Sequence, residues 1–237
     1  MFESDTMNVF KAISSRRSIR QFKNRPVDKD DLFMLIELGM QAPTAGNMQD
    51  FRFIGVFDKE TILKLPKACL DQYWITSAPA LIVVCSQPQL QATWFGERGR
   101  HVFATQNAAM ATQNILLAAH AMGLGACMVS GFDQEKVDAI FGVGGKGRVE
   151  AIIPVGYPAE TPDRKEENEM DVMLYFEKWG NDKEDPALIN KDYSIKLQQL
   201  IKKVELESQS SRDRTWQWLK DVQGRLKEQL NKKEGKK

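Results

Sequence analysis

Three arginines and a serine stand within five residues near the start of the 237-residue chain, in the order Arg16-Arg17-Ser18-Ile19-Arg20. Guanidinium groups this close repel one another unless solvent screens them or an anion lies among them. Arginine presents a planar fork that matches phosphate, and serine adds a further hydrogen bond. The cluster therefore indicates a phosphate site, with a solvated charge run at a helix end as the alternative.

Small residues and amides form a second candidate element, the loop from Ala42 to Gln49. Small side chains let a flat ligand approach the backbone, while Asn47 and Gln49 supply donors and acceptors without net charge. That combination suits the edge of a heteroaromatic ring, although the composition is also typical of a simple turn. Ser130-Gly131 raises a similar pair of alternatives: a glycine N–H that faces a ligand, or a routine exit from a strand.

The elements that must position these groups alternate between helices and strands. The continuous apolar run from Ala80 to Cys85 predicts a strand covered on both faces. The long segment 103–122 is rich in Ala and small amides, which predicts a helix in close contact with another helix. Periodicity predicts further strands over 51–57, 124–130 and 151–155, and further helices over 7–15, 28–40 and 133–141. The alternation indicates an α/β or α+β fold with a covered sheet.

Charge divides the chain into a mildly acidic body and a basic tail. The whole chain has 33 basic and 32 acidic side chains, and residues 183–237 carry a surplus of five positive charges. We expect one domain over 1–180 and a helical, basic extension over 181–237 that contains two amphipathic helices. The extension is interpreted as an arm that wraps a partner subunit, with a basic surface for an acidic partner or a frayed appendage as alternatives.

The net charge of +1 favours neither nucleic acid nor membrane as a partner. Only two histidines are present, so we expect no metal site. Cys69, Cys85 and Cys127 are isolated from one another, which is typical of buried reduced thiols and indicates a reducing, cytoplasmic location.

Four segments, in this order, resemble the nitroreductase family of FMN-dependent flavoproteins. The Arg-x-Ser-x-basic opening of the family is matched by Arg16, Ser18 and Arg20. Its Pro-small-small-x-Asn-x-Gln loop is matched by Pro43, Thr44, Ala45, Asn47 and Gln49. The end of a long helix at 118–125, and Gly156-Tyr157-Pro158 followed by Arg164, complete the pattern.

The resemblance implies an α+β fold, with a mixed or antiparallel central sheet covered by helices, and a homodimer that holds FMN in two clefts at the subunit interface. The phosphate, the ribityl chain and the pyrimidine edge would be held by Arg16, Arg17, Ser18, Arg20 and Arg164. The ring would be lined by Pro43, Thr44, Ala45, Asn47 and Gln49 of the partner's loop. Ser130 and Gly131 would direct backbone N–H groups toward flavin N5 and O4.

The same resemblance implies an oxidoreductase that takes hydride from NAD(P)H and reduces a nitroaromatic, a quinone or a similar flat acceptor by a ping-pong mechanism. No side chain acts as a nucleophile in such a reaction, because hydride transfer needs stacking geometry and an open ring face. Two alternatives stay open: a specialised member that performs reductive dehalogenation or flavin fragmentation, and a non-catalytic flavin-binding protein whose tail recruits a partner.

Two features depart from the family pattern. Asp50-Phe51 follows the loop where many members have a Pro-Trp pair, which bears on the shape and charge of the substrate mouth. The segment from Trp94 to His101 lies where members differ and build a substrate cover. Trp94, Phe95 and Arg100 could contact the acceptor or the nicotinamide there, or they could pack the dimer.

Overall fold

The chain divides into two compact units, Met1–Glu166 and Glu167–Lys237. The computed structural model describes residues 7–163, 168, 172–181, 199–200 and 202–203. No helix among these residues is long and apolar enough to cross a membrane. The expected boundary at residue 180 and the helical extension after it stay predictions, because most of that region lies outside the described residues.

The first unit is built around an antiparallel sheet in the strand order 1-2-4-3. Its strands are β1 (Phe51–Val56), β2 (Ala80–Ser86), β3 (Gly125–Ala126) and β4 (Arg148–Gly156). Helices accompany the sheet, so the predicted α+β fold is confirmed. In chain order the helices are α1 (Val9–Ser15), α2 (Lys29–Met40), α3 (Lys59–Ala68), α4 (Pro88–Arg98), α5 (Ala104–Ala121) and α6 (Gln134–Phe141).

Strand β2 lies inside the sheet and all seven of its residues are buried, as its apolar run predicted. Because successive side chains of a strand point to opposite faces, β2 contributes to two hydrophobic clusters. Leu81, Val83 and Cys85 pack on the face covered by α3 and α6, whereas Ala80, Ile82 and Val84 pack on the face covered by α2 and α5. Each fully buried Leu, Ile or Val contributes about 1.5–3 kcal/mol to folding.

Strand β3 is much shorter than the predicted strand over 124–130. After Ala126 the continuous ladder stops, and only an isolated bridge between Val129 and Ile152 follows. The residue of β4 opposite Cys127 is Pro154, which has no N–H to donate and leaves a single 3.4 Å bond from Cys127 N–H to the Pro154 carbonyl O. Proline in β4 therefore interrupts the pairing.

Helices α2 and α5 pack closely, as the small residues predicted. A Cβ atom at Gly39 would lie 2.8 Å from Ile115 Cγ1, which is closer than side-chain atoms normally approach. Glycine at this position lets the two helix backbones come together over the sheet.

Helices α3 and α4 were not predicted from the sequence. Pro66 lies inside α3, and only Gln91 of α4 is buried, so α4 lacks the apolar stripe that marks an amphipathic helix. Gly96 breaks the helical backbone of α4, and a π-helical turn over Gly99–Phe103 leads directly into α5. Helix α4 is therefore placed by its connection to α5 and not by a buried apolar face.

Replacing Gly125 with Ala is expected to lower the free energy of unfolding by about 1–3 kcal/mol, because the new methyl group must displace a buried side chain. A Cβ atom there would lie 2.8 Å from Ile19 Cγ2 and 2.9 Å from Ile19 Cβ. Gly144→Ala is the matched control, since no atom lies within 4 Å of the added Cβ. Urea unfolding measures both variants, and equal stability of the two would contradict the close packing at Gly125.

Candidate cofactor site

The arginine-rich segment after α1 is fixed along the edge strand β3. The Ile19 N–H donates to the Ala126 carbonyl O at 3.1 Å, and Phe22 forms a bridge to the chain just beyond β4. Ile19 and Phe22 are both 8% exposed. Ile19 therefore points into the core, whereas Ser18 is half-buried and Arg20 is exposed.

The three guanidinium groups of this segment make no ion pair with a carboxylate in the part of the chain that the structure describes. Arg17 Nη1 donates to the carbonyl O of Arg16 at 2.8 Å, and the Arg20 guanidinium lies 5.8 Å from the centre of the Trp74 ring. Glu160 lies beside the segment, but its Oε1 accepts backbone N–H groups, including that of Arg20 at 2.5 Å. The three guanidinium groups thus have no ion-pair partner in the described ranges, and the Glu160 carboxylate lies beside their backbone.

His120, at the end of α5, lies next to this charge. Its Nε2 is 2.7 Å from Ser15 Oγ, and that hydroxyl donates to the Lys11 carbonyl O at 2.6 Å. Burial, and then the positive charges of Arg16 and Arg17, lower the pKa of His120. The arginines therefore act on the carboxyl end of α5.

The buried thiol of Cys127 contacts the same cluster. Burial raises the pKa of this thiol, whereas the charge of Arg20 and a hydrogen bond with Ser18 lower it. Arg164, which the sequence placed with these residues, lies outside the described part of the chain. No group of three or more His, Cys, Asp or Glu side chains that could hold a metal ion is found among the described residues.

The loop after α2 forms a short turn held by α5. Residues Ala45–Asn47 make one turn of 3₁₀-helix, with positive φ angles of 61° at Gly46 and 57° at Asn47. The Ala45 N–H donates to Asn107 Oδ1 at 3.0 Å, and Gln49 Nε2 donates to Asn47 Oδ1 at 3.0 Å. Thr44 and Ala45 are half-buried, whereas Pro43, Asn47 and Gln49 are exposed.

Helix α4 covers this loop through one aromatic side chain. A Cβ atom at Gly46 would lie 2.8 Å from Phe95 Cζ, so the Phe95 ring packs directly on the glycine. The same ring meets Phe103 edge-on, with 5.2 Å between the ring centres. Trp94 is 74% exposed, and Arg100 is paired with Glu97 at 3.2 Å. The segment from Trp94 to His101 is therefore part of a helical cover over the loop.

Ser130 and Gly131 follow the isolated bridge between Val129 and Ile152 of β4. The Gly131 carbonyl O accepts from Gln72 Nε2 at 3.2 Å. Neither the Ser130 N–H nor the Gly131 N–H donates to a protein group within the described ranges. Two backbone donors are thus available at this position.

Helix α5 separates the loop from the arginine cluster within one chain. Asn107, which binds the loop, lies near the start of α5, and His120, which lies beside the arginines, is at its end. The 13 residues between them correspond to about 20 Å at 1.5 Å per residue. The structure therefore places the loop residues and the arginine segment at opposite ends of α5.

Sequence analysis missed the buried polar residues that hold the loop in place, among them Asn107 and Gln91. Asn107 Nδ2 donates to Asp50 Oδ1 at 2.7 Å, and both residues are almost fully buried. Asp50, the first residue of the Asp50-Phe51 departure from the family pattern, has its side chain completely buried beneath the loop. An aspartate between the loop and a strand was the visible signal for this network, but its partners are distant in sequence.

The chain is similar to known proteins over most of its length. The sequence model of the Nitroreductase family matches residues 13–76 and 67–157. A protein of Methanothermobacter thermautotrophicus, provisionally named NADH dehydrogenase/NAD(P)H nitroreductase, is 32% identical over 177 residues, which cover 73% of this chain and 88% of that protein. The NADPH-flavin oxidoreductase of Vibrio harveyi is 27% identical over 67% of this chain and 69% of its own length.

Among solved structures, an FMN-dependent nitroreductase from Clostridium difficile superposes with a TM-score of 0.60 and 25% identity, covering 72% of this chain and all of that one. A protein from Parabacteroides distasonis, provisionally named NADH dehydrogenase/NAD(P)H nitroreductase, gives a TM-score of 0.65 at 26% identity and covers 73% of this chain. The fold, the family match and these relatives agree, and the chain belongs to the nitroreductase family of oxidoreductases.

Proposed function

We propose that this protein is an FMN-dependent oxidoreductase that takes hydride from NAD(P)H and reduces nitroaromatics, quinones or similar flat acceptors. The observation that supports this proposal most directly is the arginine cluster. Three guanidinium groups and Ser18 stand on a segment bound to the edge of the sheet, and none of these guanidinium groups is ion-paired with a carboxylate among the described residues.

The residues present fit the phosphate end of FMN. A phosphate monoester carries a charge of about −1.5 to −2 at pH 7, so two or more arginines are a proportionate counter-charge. Arg16 and Arg20 would supply charge-assisted hydrogen bonds, and Ser18 a neutral one. Glu160 Oε1 accepts the backbone N–H groups of Arg20 and Gln21, and Glu160 forms no ion pair with a guanidinium group among the described residues. Arg164 belongs to this proposal from the sequence alone.

Residues of the loop 43–49, together with Gly131, also fit the flavin ring of FMN. Asn47 and Gln49 offer amide donors and acceptors at the loop surface, and Gly131 offers a free backbone N–H. FMN, when bound, would supply the two-electron redox chemistry, with hydride from NAD(P)H accepted at N5 and passed to the acceptor. The chain would hold the ring in a defined plane and leave one face open beneath the helical cover, where NAD(P)H and acceptor would alternate. Trp94 and Phe95 would contact those substrates.

The separation along α5 supports a homodimer. Since the loop and the arginine cluster lie about 20 Å apart within one chain, we propose that the loop of one subunit faces the cluster of its partner. Exposed apolar side chains on α1 and α2 supply a surface for such pairing, among them Val9 (58% exposed), Ile13 (58%) and Phe33 (59%). The extension 181–237 would wrap the partner subunit.

A cytoplasmic location is part of the proposal. All three cysteines are free and buried. Burial raises the pKa of Cys69 to about 11, and burial together with the charges of Asp138 and Glu150 raises that of Cys85 to about 12. Such thiols stay protonated and unreactive at neutral pH, which is typical of proteins in a reducing compartment.

Replacing Arg20 with Ala is expected to weaken FMN binding by at least about tenfold, because a charge-assisted contact to the phosphate is lost. Titration calorimetry of the FMN-free protein measures the dissociation constant. Lys64→Ala removes one positive charge from the exposed surface of α3 and is the matched control. Unchanged affinity in the Arg20 variant, with the melting temperature preserved, would contradict the phosphate assignment.

Anaerobic reduction tests the proposed activity. With FMN bound, about one equivalent of NADH or NADPH is expected to bleach the flavin absorption band, and a nitroaromatic or quinone added afterwards is expected to restore it. Each nicotinamide is tested separately, which also decides between them. A protein that binds FMN but is reduced by neither nicotinamide would instead be a non-catalytic flavin-binding protein.

Deleting residues 183–237 tests the role of the extension. If the extension wraps the partner subunit, the truncated chain is expected to be a monomer and the full chain a dimer. Size-exclusion chromatography with light scattering measures the mass of each. Loss of FMN should accompany loss of the dimer, since each site would need both subunits. A truncated protein that stays dimeric would assign the extension to another partner.

A further inference from the structure

The side chain of Asp50 is completely buried between the loop 43–49 and β1. Its Oδ1 accepts a hydrogen bond from Asn107 Nδ2 at 2.7 Å. Its Oδ2 has no hydrogen-bond partner among the described residues. A buried carboxyl oxygen without a partner is rare in folded proteins, because it loses its contact with water and gains nothing in return.

Gln91 of α4 presents a second unpartnered oxygen beside it. The Gln91 side chain is also completely buried, and its Nε2 donates to the Met48 carbonyl O at 3.2 Å. The Gln91 amide lies within hydrogen-bonding reach of the Asp50 carboxyl group. Gln91 Oε1 nevertheless has no donor in the described part of the structure. Two neighbouring side chains therefore each have an oxygen that lacks a hydrogen atom to share.

Asp50 has no ion-pair partner among the described residues. Glu150 of β4 acts on it with a charge of the same sign, and the guanidinium group of the nearby Arg52 donates to the carbonyl O atoms of Gln49 and Phe51. The positive group near Glu150 is Arg148, and it is already paired with Glu150 at 2.6 Å. Burial, and to a smaller extent Glu150, raise the pKa of Asp50 above its ordinary value, while hydrogen bonds from Asn107 and Gln91 act in the opposite direction. A buried carboxylate without a cation is costly, so the neutral form is favoured.

Asn107 extends this arrangement to the cofactor loop. Its Nδ2 binds Asp50 and its Oδ1 accepts the Ala45 N–H at 3.0 Å. Because an amide has one donor end and one acceptor end, the oxygen of Asp50 that accepts from Nδ2 also sets which end of Asn107 faces the loop. A continuous set of contacts thus runs from Ala45 through Asn107 and Asp50 to Gln91 on the helical cover.

We propose that Asp50 carries a proton in the folded protein at neutral pH and acts as a positioning residue, tying the loop 43–49 to α5 through Asn107 and to α4 through Gln91. The proton lies on Oδ2 and is donated to Gln91 Oε1, while Oδ1 continues to accept from Asn107. Both unpartnered oxygens are satisfied by this single hydrogen atom. The inference rests on the proposed function only in assigning the loop to the flavin ring.

The sign of the pH dependence follows from the raised pKa of Asp50. A carboxyl group whose pKa is higher in the folded than in the unfolded protein stabilises the fold while it is protonated, and this contribution is lost as pH rises through the folded-state pKa. Raising the pH is therefore expected to loosen the contact between the loop and α4, and to weaken FMN binding with it.

The Asp50→Asn variant keeps the shape of the side chain at position 50 but removes its titratable proton. The asparagine amide keeps an oxygen for Asn107 and places a permanent donor toward Gln91. This variant is expected to bind FMN as the unchanged protein does at low pH, and to lose the alkaline weakening. Asp50→Ala removes both bonds and is expected to weaken FMN binding about tenfold at every pH. Asp30→Asn, on the exposed start of α2, is the matched control for the charge change.

The measurements are FMN affinity and thermal unfolding between about pH 5 and about pH 9, with infrared spectroscopy of the FMN-free protein. We expect a protonated-carboxyl band at neutral pH that is absent only from the Asp50 variants. The inference would be overturned if the protein with Asp50 lacked that band. It would also be overturned if FMN binding by the Asp50→Asn variant weakened at high pH as much as FMN binding by the protein with Asp50. The infrared band and the unfolding profile need no FMN, so they separate failure of this inference from failure of the proposed function.

Discussion

The proposed phosphate site depends on the attachment of the arginine segment to the edge of the sheet, where the Ile19 N–H donates to the Ala126 carbonyl O at 3.1 Å. Two unit charges 4 Å apart repel by about 1 kcal/mol in water and by more where water is excluded. Left to themselves, the neighbouring arginines would spread into solvent. The burial of Ile19 and Phe22 fixes the backbone on either side of Arg20, so the energy of the hydrophobic core holds the guanidinium groups together in advance of any anion. Such preorganisation reduces the entropy that binding must overcome.

Helix α5 connects the two candidate elements of one chain, the loop 43–49 and the arginine segment. It contacts the loop through Asn107 and the arginine segment through His120. It also packs against α2, where Gly39 allows the close approach. A helix buried along one face is among the least deformable elements of a fold, so the spacing between the two halves is constant. The proposed dimer would set two such helices so that each completes the other's site.

Local patterns were sufficient to predict the central elements. The apolar run of β2 and the Ala-rich sequence of α5 identify buried elements without knowledge of their neighbours, and the arginine cluster is contiguous in sequence. Helix α4 could not be predicted in this way, because its position is decided by a single buried glutamine and by its junction with α5. The short length of β3 depends on Pro154 in another strand. The burial of Asp50 depends on Asn107 and Gln91, which are 57 and 41 positions away and carry no local signal.

The π-helical turn at Gly99–Phe103 has a geometric consequence for the cover. A hydrogen bond from the Ala104 N–H to the Gly99 carbonyl O encloses one residue more than an α-helical turn does. Each α-helical residue advances the side chains by about 100°, so this additional residue and the break of the helical backbone at Gly96 together set the orientation of the first turns of α4 relative to α5. In that orientation Gln91 points inward and Phe95 packs on Gly46. Backbone geometry at two positions outside the contact thereby contributes to which face of α4 lies against the loop.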